Sequence, residues 1–281
     1  MSDVEALAAL TEGDRGRARE LAASGSSLLA GYLTAYLDNE AAGSVYDQPA
    51  AFEAFISGGG NVGLYAAVED AVAELYRELA PARLADIGCG DGRVVRNALA
   101  NSGHLPDSLT LIEPSPALLA EAVRDLTPTH AYAGAVQSFL SEVDHTFDLI
   151  ESTFAMHAIP HDERTEVLAR LGERTSRLVI VDFDVPAVEH GGPAHLRFLA
   201  ETYERGLSEY GADRDLVAGG FLMPVLVGQL TPGARRVTWE QPAVQWRSQL
   251  EKAGYRDVAV VTLHDYWSSP AFLLTARSGG A

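Results

Sequence analysis

Leu84 to Leu99 reads LADIGCGDGRVVRNAL, a short apolar run, three glycines at alternate positions, and then a stretch with Val94, Val95, Ala98 and Leu99 on one helical face. The pattern predicts a strand that feeds a glycine loop into the first turn of a helix. Such a junction points backbone N–H groups and the positive end of a helix dipole at one place. Gly88, Gly90 and Gly92 carry no side chain, so a ligand can come close to the backbone. The spacing is G-x-G-x-G. Arg93 stands where the dinucleotide fingerprint G-x-G-x-x-G requires its last glycine. Asp86 and Asp91 place two carboxylates beside the loop, which suits a cationic or hydroxyl-rich ligand better than a pyrophosphate.

Outward from this stretch the chain alternates strand and helix. SLTLIE (108–113) is a second strand, and Ser115 and Pro116 cap and open the helix ALLAEAVRDL. AYAGAV is a weak third strand, TFDLIEST a stronger fourth, and SRLVIVDFD a fifth that is apolar through its centre and so buried on both faces. After a break, Pro242 opens a helix through Trp246 and Leu250. RDVAVVTLHDYW and AFLLTAR then follow as strands close enough in sequence to pair antiparallel. The expectation is an α/β fold, a Rossmann-like doubly wound sheet of seven strands with the last antiparallel. Residues 1–80 read as a helical N-terminal cap, 82–185 and 235–278 as the core, and 186–234 as a helical insertion between strands 5 and 6, all in one catalytic domain of residues 1–281. Within the cap, three consecutive glycines ending at Gly60 read equally as a hinge over a ligand or as a helix–helix turn.

Glu113 ends the second strand, at the side of the sheet where the glycine loop lies. A carboxylate there can accept hydrogen bonds from both hydroxyls of a ribose. With these residues in view, the sequence resembles the class I S-adenosylmethionine-dependent methyltransferases. LADIGCGDG is similar to the first motif of that family, and LTLIEPSPALLAEA to its second. The resemblance runs from Arg83 to Asp184 and returns from Pro242 to Arg277. It implies S-adenosylmethionine as cofactor and S-adenosylhomocysteine (SAH) as product, with Asp86, Gly88, Gly90, Gly92, Glu113, Pro114, Val136, Gln137, Ser152 and Tyr46 as cofactor-binding residues. Two features depart from the family: Gln137 replaces an acid common near the adenine, and residues 186–234 match nothing general.

The implied activity is methyl transfer to oxygen, nitrogen or carbon of a small, largely apolar metabolite, by in-line displacement with alignment as the main catalytic effect. Two alternatives stay open: the same fold and pocket serving a cyclase or a binding protein, and an NAD-dependent oxidoreductase, which Arg93 disfavours. His157, just past the fourth strand, is the candidate general base, because imidazole titrates in the useful range. Asp184, at the end of the fifth strand, is a second catalytic candidate. Phe55, Tyr65, Phe154, Phe198, Tyr203, Phe221 and Met223 are the candidate substrate-lining residues.

Composition narrows the partners. The 281 residues hold 21 basic and 39 acidic side chains, a net charge of −18, which argues against a broad nucleic-acid or anionic-membrane surface. One cysteine, Cys89, excludes an intramolecular disulfide and a cysteine-cluster metal site. His190 and His195 lack the i, i+4 spacing of a helical metal pair, so no metal is expected. The N-terminus does not read as a signal peptide, and no segment approaches the roughly 20 apolar residues of a membrane span. The expectation is a soluble cytoplasmic protein, monomer or homodimer.

Overall fold

Ordered helices come first. Residues 2–39 and 49–279 are described by the structure, a computed structural model. Along them run α1 (Ser2–Thr11), α2 (Arg15–Ala23), α3 (Leu28–Asp38), α4 (Pro49–Ser57) and α5 (Gly59–Leu79). The stretch from Arg17 to Asp38, helical in its spacing, is two helices. Ser27 starts the second by accepting the Ala30 N–H, as Asp14 starts α2 by accepting that of Arg17.

The alternation then begins: β1 (Arg83–Ile87), α6 (Arg93–Ser102), β2 (Ser108–Glu113), α7 (Pro116–Leu126), β3 (His130–Ala133), α8 (Val136–Glu142), β4 (Leu149–Thr153), α9 (His161–Gly172) and β5 (Arg177–Phe183). There follow α10 (Pro193–Ser208), α11 (Arg214–Val217), α12 (Met223–Leu230), α13 (Ala243–Lys252), β6 (Arg256–His264) and β7 (Ala271–Arg277). The strands form one seven-stranded sheet in the order β3-β2-β1-β4-β5-β7-β6. β7 runs antiparallel to both its neighbours, and the pairs among β1 to β5 are parallel. The order reverses between β1 and β4, so their carboxyl ends flank the crevice where open α/β sheets take ligands.

The chain divides into two compact units. The sheet unit comprises Leu64–Pro186, Thr238–Asp265 and Pro270–Ala281. Its core joins Ile87, Ile112, Ile150, Ile180 and Leu274 of the strands to Leu168 of α9 and Trp246 of α13, all buried. Arg164 of α9 is fully buried within it. Its guanidinium lies 4.0 Å from the centre of the Trp246 ring and donates to Gln249 and to the carbonyls of Met156 and Trp239.

The helical unit comprises Met1–Gly63, Ala187–Val237 and Tyr266–Ser269. Glu204 of α10 accepts the N–H groups of Leu28 and Leu29 at 3.0 and 2.7 Å, so an acid from another helix covers the start of α3. The glycine run is a helix–helix junction against Tyr210. A Cβ on Gly59 would come 2.9 Å from that ring, and Gly60 donates its N–H to Glu209 at 2.8 Å. The insertion has its break at Gly211, where φ is +50°. Gly219 and Gly220 do not interrupt the second helical stretch. They lie in a π-helical turn, Ala218–Leu222, between α11 and α12. Pro224 has no N–H for an α-helical bond, and its ring would crowd the carbonyl of Gly220, four residues back. A widened turn relieves both.

Candidate active site

β1 enters the loop with Gly88 and Cys89 donating to the Ile112 carbonyl at 2.7 and 3.3 Å, which ties the loop to β2. The three glycines have different reasons to be glycine. A Cβ on Gly88 would lie 2.3 Å from that of Ala155, and one on Gly92 would lie 2.7 Å from Leu126 and 3.0 Å from Ala122 on α7. These two permit close packing. At Gly90 nothing lies within 4 Å of a Cβ, and φ is +57°. Its backbone is the bare part of the cradle.

Glu113 is buried at the end of β2 and faces this loop: one oxygen accepts the Gly90 N–H at 3.1 Å, the other the Ser115 N–H at 2.8 Å. Each carboxylate oxygen has a further lone pair, so capacity for a ligand hydroxyl remains. Asp91 accepts the Arg93 N–H at 3.0 Å, covering the first turn of α6. The Arg93 side chain turns to α5, 4.2 Å above the Tyr65 ring and 3.3 Å from Glu69. Gly92, one residue earlier, supplies the close helix packing that the last glycine gives in a dinucleotide motif. The loop therefore offers a bare backbone at Gly90 and a carboxylate with acceptor capacity left, which fit the hydroxyl-bearing nucleoside end of S-adenosylmethionine.

Asp86, the last residue but one of β1, is almost fully buried, and burial together with the Glu113 charge pushes its carboxyl up to about 7. Its register partner on β4 is Glu151, also buried, which accepts a hydrogen bond from the buried Tyr76 hydroxyl of α5. Burial and the Asp86 charge raise the Glu151 carboxyl well above the usual carboxylate range.

Past β4, His157 Nδ1 meets Asp182 at 2.9 and 3.1 Å. A buried carboxylate at Nδ1 accepts that N–H and leaves Nε2 as the ring's acceptor. Burial opposes the imidazolium, yet the charge and hydrogen bond of Asp182, with Glu240, raise the His157 pKa above its ordinary value. The His157 carbonyl accepts the Trp239 N–H at 2.6 Å. The acid brought to His157 is thus Asp182; Asp184 accepts the Ala243 N–H at the start of α13, at 2.8 Å.

The other named positions sort by surroundings. The Ser152 hydroxyl is buried and donates to the Ile87 carbonyl at 2.8 Å, bracing β4 on β1. Val136 is buried at the start of α8, Gln137 donates to Glu163 at 2.8 Å, and Pro114 is exposed. Tyr46 lies outside the described residues. In the sheet unit Tyr65 meets Phe154 edge-on at 6.2 Å, and Phe154 stacks on Phe183 at 4.7 Å. Phe154 has φ +53°, a left-handed conformation that costs a non-glycine residue about 1–3 kcal/mol and concentrates at functional sites. In the helical unit Phe55 stacks on Phe221 at 4.1 Å, Tyr203 and Met223 are buried in the packing, and Phe198 is partly exposed. His190 and His195 have ring centres 4.8 Å apart; among the described residues no group of three or more His, Cys, Asp or Glu is placed to hold a metal.

Phe183, Tyr76 and Glu151 carry no motif: Phe183 and Glu151 acquire their places only when neighbouring strands pair, and Tyr76 of α5 acquires its place by meeting Glu151. The one signal for Glu151 was its position inside the strand TFDLIEST, where period 2 puts it on the same face of β4 as Leu149 and Thr153.

A sheet with a reversed seventh strand, a glycine cradle after its first strand and an acid closing on that cradle from the second is the arrangement that the sequence resemblance to class I S-adenosylmethionine-dependent methyltransferases implies. Residues 84–190 match a family model described as a methyltransferase domain. No curated protein matches the sequence. Among solved structures, a magnesium protoporphyrin IX methyltransferase from Synechocystis PCC 6803 with bound SAH is 16% identical, with TM-score 0.52, covering 83% of this chain and 96% of that one. PigF with SAH is 15% identical, with TM-score 0.51, over 77% of this chain and 56% of that one. An O-methyltransferase family protein from Burkholderia thailandensis is 12% identical, with TM-score 0.51, over 97% and 64%. The chain spans about half the length of PigF and less than two thirds of the Burkholderia protein.

Proposed function

We propose that the protein transfers the methyl group of S-adenosylmethionine to oxygen, nitrogen or carbon of a small, largely apolar metabolite, and that His157 is its general base. The observation that carries the reading is the Gly90–Glu113 cradle: a bare backbone in a left-handed turn, backed by a buried carboxylate with acceptor capacity left over. When bound, S-adenosylmethionine supplies an electrophilic methyl group on a sulfonium. The protein's own work is then to align and to move one proton. The bare backbone at Gly90 and the Glu113 carboxylate hold the nucleoside end. Fixing two reactants in attack geometry contributes several kcal/mol, about 7–11 at the upper limit.

A base is needed when the acceptor arrives protonated. His157 Nε2 takes that proton, and Asp182 at Nδ1 fixes the tautomer and stabilises the imidazolium that results. Tyr65, Phe154 and Phe183 offer aromatic surface of the kind that binds an apolar acceptor. The test is incubation of the full chain with S-adenosylmethionine bearing a labelled methyl group and a panel of phenols, amines and carbon acids, read by mass spectrometry. The expected result is a labelled product from at least one small acceptor, lost in His157→Ala. Binding of S-adenosylmethionine with no transfer to any class would favour a non-transferase use of the same pocket.

A further inference from the structure

Among the described residues of the sheet unit, two buried carboxylate oxygens have no hydrogen-bond partner: Oδ1 of Asp86 and Oε2 of Glu151. They belong to register partners on adjacent parallel strands, β1 and β4, whose side chains project from the same face of the sheet. The other Glu151 oxygen is already held by the Tyr76 hydroxyl. Leaving two carboxylate oxygens unsatisfied side by side costs desolvation at both and adds repulsion between them. One proton removes all three penalties, because a carboxylic acid donates where a carboxylate only accepts.

We propose that Glu151 carries a proton at neutral pH and donates it to Asp86, forming a shared-proton carboxyl pair that positions Asp86 ahead of the glycine loop and couples cofactor binding to proton release. The role in binding rests on the cofactor reading above; the proton itself does not. Burial raises both carboxyls, helped at Asp86 by the Glu113 charge and at Glu151 by the Asp86 charge, in the direction the pair requires. The groups facing it are Tyr76 from α5, Glu113 from the end of β2, and the Cys89 thiol in the loop, which burial and then the Asp86 and Glu113 charges push up. No cation faces the pair among these groups, so it stays singly charged until a cation arrives. A cationic ligand at the loop stabilises the doubly ionised state, and its binding expels the proton. Glu151 is thus a positioning residue that acts through Asp86.

Two measurements on the full chain decide this. Infrared difference spectra of the ligand-free protein at neutral pH are expected to show the carbonyl band of a buried protonated carboxylic acid, absent in Glu151→Gln and shifted in Tyr76→Phe. Glutamine keeps an acceptor for Tyr76 and a donor for Asp86, and a thermal melt confirms that the variant folds. No such band in the wild type, or an unchanged band in Glu151→Gln, overturns the shared proton. Calorimetry with S-adenosylmethionine in buffers of different ionisation enthalpy is expected to show proton release in the wild type and its loss in Glu151→Gln, with binding retained. Equal release in both overturns the coupling. Absence of any binding overturns the cofactor reading and the coupling with it, while the infrared band still decides the pair.

Discussion

At the scale of single residues, the three loop glycines make a sharp contrast. Gly90→Ala meets no neighbour and pays only the left-handed strain, about 1–2 kcal/mol, yet it fills the cradle. Its expected signature is a small drop in melting temperature with a large loss of S-adenosylmethionine affinity. Gly92→Ala drives a methyl group into Leu126 and Ala122, so its loss appears in the melt itself. Glu113→Ala is expected to weaken cofactor binding by about 1.5–3 kcal/mol, the range for charged hydrogen bonds, measured by calorimetry. The His157–Asp182 pair has a pH signature. With the His157 pKa raised in the folded protein, its ion pair stabilises the fold below the ordinary histidine pKa of about 6.5 and is lost as pH rises through the raised value. A general base must be neutral, so kcat/KM is expected to rise with pH through a limb above 6.5. Asp182→Asn removes the counter-charge and moves that limb to lower pH; a limb that stays put would sever His157 from the proton step. The loop, Glu113 and His157 were readable because each lies next to a motif or a strand end. Asp182 as the histidine's partner, and Glu151, were not: both depend on which strands become neighbours.

At the scale of elements, β1, β2 and β5 were legible because buried parallel strands are continuous apolar runs, and α7 because Ser115 and Pro116 mark its start. The β6–β7 hairpin pairing followed from a short connection. Four elements escaped. The strand reading of AYAGAV runs past Ala133, whereas Val136 already starts α8. The break between α2 and α3 is four polar or small residues inside an otherwise helical spacing. The π turn depends on a proline two residues beyond it, and α-helical periodicity is blind to it. The strand reading of RDVAVVTLHDYW runs past His264, whereas Tyr266 and Trp267 leave the sheet and pack with Tyr203 in the helical unit. Among the helices of the sheet unit, α9 carries a buried charge whose loss is predictable. Arg164→Leu strips donors from the carbonyls of Met156 and Trp239, on either side of the His157 turn. About 1–3 kcal/mol of destabilisation is expected for each group left unsatisfied, seen as a lower melting temperature together with a lower kcat. A lower melting temperature with unchanged kcat would mean that the turn holds His157 without Arg164.

At the scale of the whole molecule, the doubly wound sheet was the most legible feature, because strand–helix alternation with one glycine loop leaves few topologies open. The division into units was harder to see. The segment Tyr266–Ser269 belongs to the helical unit although it lies between two strands of the sheet, and no composition shift marks it. No described helix is long and apolar enough to cross a membrane, and the net charge of −18 disfavours polyanionic partners. What remains undeciphered by motif is the acceptor, since aromatic residues that pack a helix and those that line a pocket look alike in sequence. The claim on which everything else depends is the identity of the ligand at the Gly90–Glu113 cradle. Isothermal titration of the full chain with S-adenosylmethionine and, separately, with NAD tests it most directly. Saturable binding of S-adenosylmethionine, weakened in Glu113→Ala, with no heat from NAD is the predicted result; NAD binding with no response to S-adenosylmethionine would contradict it.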